Sequence, residues 1–223
     1  MKYIKFGIYT GRENMQIDSD LLENAISEQS KEPIFRLYAW SPKCISLGRN
    51  QATEVNNAEG IDVVRRVTGG RALLHDDEVT YSYITPASIV PNGSTIKESY
   101  KYISGILIDF FNTLGVELEF GGGVNNAAVD STVVNTKHNY CMLISTGADV
   151  CYKGKKIIGS AQYRKNGYIL QHGSILFGYD KILLEKLFNE EVLSEHIVTV
   201  REILPNLSKK EFIYKFEAFI QKL

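Results

Sequence analysis

Two turn signals in the second half of the chain constrain the fold most. Lys153-Gly154 and Asn166-Gly167 each interrupt runs that read as strands. Such a pair suits a two-residue hairpin loop, whose central residues need positive φ. Cys141 to Phe177 therefore reads as a β-meander, which commits the chain to a mainly antiparallel sheet. Further strands are read at residues 1–9, at Phe35–Trp40 and Cys44–Leu47 on either side of a Ser41-Pro42 turn, at Val63–Arg66 and at Glu78–Ile84.

Helices are placed by periodicity. Ile96, Tyr100, Ile103, Leu107, Phe110 and Leu114 share one face, with a Thr95/Glu98 capping-box pattern before them and Gly115 as the C-terminal cap. Asn14 to Ser27 and Lys181–Phe188 are also helical. So is Lys209–Lys222, which starts with a Ser208/Glu211 box and turns Phe212, Phe216 and Phe219 to the core. Gly121–Gly123 and the polar stretch to Lys137 read as loop. Mixed, mainly antiparallel strands with helices packed on one side give an α+β domain spanning 1–223.

At 223 residues, 44% hydrophobic and 23% charged, the chain is long enough for a proper core and too apolar for disorder. A net charge of -1 argues against bulk nucleic-acid binding. No apolar run reaches the ~18 residues of a membrane span, and the N-terminus has no signal-peptide h-region, so a cytoplasmic protein is expected. Cys44, Cys141 and Cys151 are too few for a disulfide framework, and no metal-ligand spacing occurs, so no metal site is expected.

Three constellations carry chemistry. In the first, Arg66-Val67-Thr68-Gly69-Gly70-Arg71-Ala72 runs on to His75; its glycines allow close backbone approach, and Arg66 and Arg71 offer charge-assisted bonds to an anion. Its spacing is neither a Walker loop nor a dinucleotide fingerprint. In the second, Lys155 and Lys156 leave opposite faces of a strand, ahead of the small residues Gly159-Ser160-Ala161 and the segment Gln171-His172-Gly173-Ser174. The third is Cys141, read on a strand whose hairpin brings it beside Lys156, where an ammonium favours the thiolate. Cys151, at the hairpin turn, is the competing thiol and is expected to be the more exposed. His172 orients a reacting group or is a hydrogen-bonded strand histidine.

Taken in order, these segments resemble the biotin/lipoate protein ligase and octanoyltransferase superfamily. The pattern is RRxTGGRAxLHDxExTYS, a cysteine, GKKIxGSAQxR and LQHGSIL. It begins with Asn14-Met15-Gln16-Ile17-Asp18, includes Tyr38-Ala39-Trp40 through Leu47-Gly48, and ends near Asp180. Within that superfamily it is most similar to the carrier-protein-dependent octanoyltransferases of the lipoate-ligase-like branch. Met142 stands where that branch usually has Phe.

The resemblance implies a lipoate-ligase-like catalytic fold and acyl transfer without a cofactor. Cys141 matches the nucleophile that takes octanoyl from acyl carrier protein as a thioester. The acceptor is a lysine of a lipoyl-domain protein, such as glycine cleavage H protein or a dehydrogenase E2 subunit. Lys156 matches the lysine near the acyl carbonyl, and Arg66–His75 with Gly159–Ala161 match pocket walls. Burying about seven methylenes at ~0.8 kcal/mol each gives roughly 5–6 kcal/mol, enough to hold the chain reversibly. The alternative is an ATP- and Mg²⁺-dependent lipoate–protein ligase or its catalytic subunit. The cysteine favours the transferase, as does the expectation that no small domain follows the last helix. A non-catalytic lipoyl-domain binder is a third reading.

Overall fold

A computed structural model describes residues 1–51, 55, 60–121, 140–143, 149–189, 191–192 and 195–223. The two hairpin signals hold: Lys153 and Gly154 have φ of 49° and 77°, and Asn166 and Gly167 have 48° and 81°. They join β8 (Val150–Tyr152), β9 (Lys155–Lys165) and β10 (Tyr168–Leu176). These strands belong to a seven-stranded sheet, counted among the described residues, in the order β1-β2-β6-β10-β9-β8-β7. Its other members are β1 (Lys2–Tyr9), β2 (Ile34–Trp40), β6 (Glu78–Pro86) and the two-residue β7 (Glu119–Phe120). Among the described residues of this sheet, only the β1–β2 pair is parallel. A smaller sheet, β4-β3-β5, contains β3 (Cys44–Leu47), β4 (Asp62–Arg65) and β5 (Leu73–His75).

Alternation along the central strands divides the large sheet into two chemically different faces. Phe35, Leu37, Val79, Tyr81, Ile169 and Ile175 point to one, where α2 (Ile96–Thr113) and α5 (Lys209–Ile220) add Phe110, Phe111, Phe212 and Phe216. The Phe110 and Phe216 rings stack at 4.0 Å. The intervening residues Arg36, Tyr38, Thr80, Ser82, His172 and Ser174 form the opposite, largely polar face, and all are buried. Helix α1 (Gly11–Ser27) covers part of that face through Leu22 and Ala25, against Ile84 and Leu170. Helices therefore lie on both sides of the sheet, not one. An amphipathic helix reveals that it buries a face but not which side of a sheet receives it.

Several boundaries differ from expectation for local reasons. Helix α1 starts at Gly11, ahead of Asn14, because Thr10 and Glu13 form a complete capping box. Thr95 and Ser208 do accept from the backbone N–H of Glu98 and Glu211. Gly115, at φ 75°, closes α2, with its N–H bonded to Asn112 O and that of Val116 to Phe111 O. Strands β5 and β7 and the one-turn helix α4 (Val200–Ile203) are too short to read from periodicity. Cys141 begins a 3-10 turn, Cys141–Leu143, and not a strand. The expected loop falls on residues 122–137, outside the described residues. Helix α3 occupies Lys181–Phe188 as expected.

Candidate active site

The polar sheet face, the small sheet and α1 enclose a pocket of about 440 Å³ including its open mouth. Cys141, Gly70, Gly159, Ser160, Ala161 and Gly173 line it together with Tyr38, Trp40, Met15, Leu73, Thr80 and Ser174. The row Tyr38–Thr80–Ser174–Gly159 crosses four neighbouring strands in register. The pocket thus runs across the strands, from β9 to β2.

Cys141 is half-buried at this pocket, whereas Cys44 and Cys151 are buried. Cys151 was expected to be the exposed thiol. The hairpin instead pairs it with Lys156, under the sheet's cover. The turn that carries Cys141 is tied to the glycine loop, since its N–H donates to Ala72 O at 3.0 Å and Tyr140 bridges Ala72. Burial pushes the Cys44 thiol up to about 12, which leaves it an inert core group.

Lys156 reaches the cysteine turn because of a β-bulge. Val150 pairs with Ile158 but its neighbour Cys151 pairs with Lys156, so β9 carries one extra residue. Ile157 and Ile158 consequently both enter the apolar core, and Lys156 turns toward Cys141. Its ammonium donates to the main-chain carbonyl of Cys141 at 3.1 Å and pairs with Asp149 Oδ1 at 3.0 Å. Burial works against this charge, but Asp149 and then Cys141 hold the lysine above its ordinary value. Gly159 makes room for it: a Cβ there would lie 3.1 Å from Lys156 Cε and 2.8 Å from Met142 Sδ. At Gly173 a Cβ would meet Gly159 O and Ser160 Oγ, both at 2.6 Å.

Arg66 lines the pocket, and its guanidinium is turned onto its own loop. Nε and Nη2 donate to Gly69 O at 3.2 and 2.8 Å, and Nη2 also to Arg71 O at 2.7 Å. Nη1 donates to Ser46 O and Ser46 Oγ at 2.9 and 3.0 Å. A guanidinium has five N–H donors, and these five bonds occupy them. Arg66 is thus the brace of the Gly69–Arg71 loop, with no donor left for an anionic ligand. The loop is also pressed on Gly48, where a Cβ would collide with Gly70 O.

The two histidines sit in separate networks. His172 Nε2 is 2.7 Å from Thr68 Oγ1, and Nδ1 is 3.4 Å from Asp18 Oδ2, so the ring joins the glycine loop to the sheet. Burial holds His172 below its usual value, with Asp18 opposing. Asp18 also accepts from Arg36 Nη1 at 2.7 Å, Tyr38 OH at 2.9 Å and Ser82 Oγ at 2.9 Å. Burial acts to raise Asp18, but His172 and Arg36 keep it below the carboxylate range. His75 bonds Ser46 Oγ and Glu78 Oε1, each at 2.7 Å, and stacks on Trp40 with centroids 3.8 Å apart. Trp40 Nε1 donates to Thr80 Oγ1 at 2.7 Å, which pins the indole at the β2 side of the pocket.

Asp18, Met15, Tyr38, Trp40, Ser46, Thr80 and Asp149 were not singled out as site residues. Asp18, Met15, Tyr38, Trp40, Ser46 and Thr80 lie inside the matched segments, and period-2 alternation from His172 across β6 to β2 would have pointed to Tyr38 and Thr80. Asp149 carries no local signal. Among the described residues no group of three or more His, Cys, Asp or Glu could hold a metal ion. Among them too, no helix is long and apolar enough to cross a membrane.

Residues 10–221 match the lipoyl protein ligase A/B catalytic domain family. The chain is 38% identical to octanoyltransferase LipM of Macrococcus caseolyticus, over 82% of this chain and 69% of that protein. It is 37% identical to LipM of Clostridioides difficile, over 81% and 65%. It thus spans about two thirds of the length of the curated relatives it matches. In fold it is similar to lipoate-protein ligase A bound with ATP, at TM-score 0.70 and 20% identity over 99% of this chain and 84% of that one. It is likewise similar to the bi-partite lipoate protein ligase of Thermoplasma acidophilum, at TM-score 0.68 and 19% identity over 100% and 83%. The chain belongs to the lipoyl protein ligase A/B catalytic domain family, as a relative of the LipM octanoyltransferases.

Proposed function

We propose that the chain is an octanoyltransferase of lipoate biosynthesis, working through a thioester on Cys141 and needing no nucleotide. The observation that carries this reading is a half-buried thiol at a pocket whose length suits the acyl chain. Three strand spacings between β9 and β2 amount to ~14 Å, less the side chains at either end. An extended octanoyl chain, with C–C bonds of about 1.5 Å, is on the order of 9 Å long. It lies over Gly159, Ser174 and Thr80, with its far end against the Trp40–His75 stack.

The donor is an octanoyl thioester of acyl carrier protein. Cys141 sulfur attacks its carbonyl; a C–S bond forms, the donor C–S bond breaks, and the thiol proton ends on the departing sulfur. A neutral lysine amine of a lipoyl domain then attacks. The C–N bond forms, the bond to Cys141 breaks, and an amine proton returns to that sulfur. Charge developing on the carbonyl oxygen is stabilised by Lys156. The acceptor assignment is supported by the family and by the Thermoplasma acidophilum bi-partite ligase, which is described with its E2 lipoyl domain.

The rival reading is ATP-dependent ligation. Its phosphates and carboxylate need cationic donors, and the Arg66 guanidinium is fully engaged with its own loop. The deciding experiment supplies octanoyl carrier protein without ATP and, separately, octanoate or lipoate with ATP and Mg²⁺. Modification of a lipoyl domain only in the first reaction is expected. Modification only in the second replaces the transferase with the ligase.

A further inference from the structure

Lys156 and Asp149 form a buried ion pair at 3.0 Å, their side chains 2% and 5% exposed. A lysine in such a place without a partner is driven toward neutrality, the form a general base requires. Asp149 reverses that tendency. We propose that Asp149 is a positioning residue that keeps Lys156 a fixed cation through both steps. Lys156 then stabilises charge at the acyl carbonyl and takes no proton from the thiol or the incoming amine. This rests on the octanoyltransferase reading.

The surroundings of Lys156 support a permanent charge. Asp149 faces it from the start of β8, Cys151 from across the β8–β9 pair, and Cys141 from the 3-10 turn. Tyr81 of β6 and Tyr100 of α2 feel the Asp149 charge and are kept protonated by burial, Tyr81 pushed up to about 12. Arg66 lies within the electrostatic reach of Cys141. Residues 196–198 give Lys156 backbone bonds, Lys156 N–H to His196 O at 2.8 Å and Val198 N–H to Lys156 O at 3.0 Å. The His196 side chain is 48% exposed and turns to Glu195 at 3.8 Å. The buried Asp149 carboxylate lies on the ammonium, and the Cys141 carbonyl fixes the ammonium's direction. In both steps the proton passes between the two nucleophiles, directly or through solvent, while Lys156 keeps its own three.

The test uses enzyme preloaded from octanoyl carrier protein and follows single-turnover transfer to a lipoyl domain between pH 6 and 9. In the wild-type enzyme the rate rises or levels with pH. In Asp149→Asn the uncompensated lysine loses its proton inside this window, so transfer falls tenfold or more by pH 8 and recovers toward pH 6. A variant equal to or faster than wild type at pH 8 makes Lys156 a base and overturns the proposal. ¹⁵N-lysine NMR of the wild-type enzyme reads the same claim without a variant: the Lys156 Nζ signal stays that of an ammonium from pH 6 to 9, and titration there also overturns it. Wild-type enzyme that never forms octanoyl-Cys141 sinks the transferase reading instead, a separate and recognisable result.

Discussion

Replacing Arg66 by lysine tests whether this arginine is a ligand group or the brace of a loop. Lysine offers three donors in place of five, on a point charge that cannot span Ser46 and the carbonyls of Gly69 and Arg71. At least two charge-assisted bonds are lost, nominally about 3–6 kcal/mol at ~1.5–3 kcal/mol each. Gly69 is exposed and Arg71 partly so, so water replaces some of that, and a loss of about 2–4 kcal/mol is expected. Two amides report on the loop: Arg49 N–H on Thr68 O at 2.9 Å and Cys141 N–H on Ala72 O at 3.0 Å. Their hydrogen-exchange protection should drop roughly 30- to 1,000-fold, and the urea midpoint should fall with it. Unchanged protection, combined with a tenfold or greater loss of octanoate affinity, would refute the brace and restore Arg66 as an anion ligand.

Native-state alkylation with iodoacetamide should modify Cys141 and spare Cys44 and Cys151; Cys151 reacting first contradicts the assigned burial. Trp40→Ala should open the β2 end of the pocket, and two added methylenes at ~0.8 kcal/mol each raise the decanoyl-to-octanoyl ratio of kcat/KM by roughly 15-fold. An unchanged ratio removes Trp40 as the stop. His172 has a depressed value in the fold, so the unfolded chain binds the extra proton below about 6.5. Its contribution is complete above that pH and is lost as pH falls toward the folded value. The melting temperature should therefore drop between pH 7 and 5, a drop that His172→Gln reduces; a flat profile speaks against a buried neutral ring.

Much of the fold was legible because hairpin loops, helix faces and caps are local. Lys153-Gly154, Asn166-Gly167 and the Ile96–Thr113 face needed no tertiary information. The site was legible in part. Alternation separates Lys155 from Lys156, but only the bulge at Ile157–Ile158 decides that Lys156 turns toward Cys141, and a bulge follows from pairing with β8. The arginine of the glycine loop looked like an anion ligand because sequence shows donors and not the carbonyls that fold back onto them. Cys151 looked exposed from its nearness to a turn, yet the sheet continues past it to β7. Asp149 was invisible for the same reason: its partner is seven residues away in sequence and meets it across a hairpin.

The central claim is a covalent octanoyl group on one thiol. Intact-mass analysis of the enzyme mixed with octanoyl carrier protein, without nucleotide and followed by peptide mapping, tests it most directly. A single octanoyl adduct on Cys141 is expected, absent from Cys141→Ala and discharged when a lipoyl domain is added. No adduct, or one on Cys151, contradicts it.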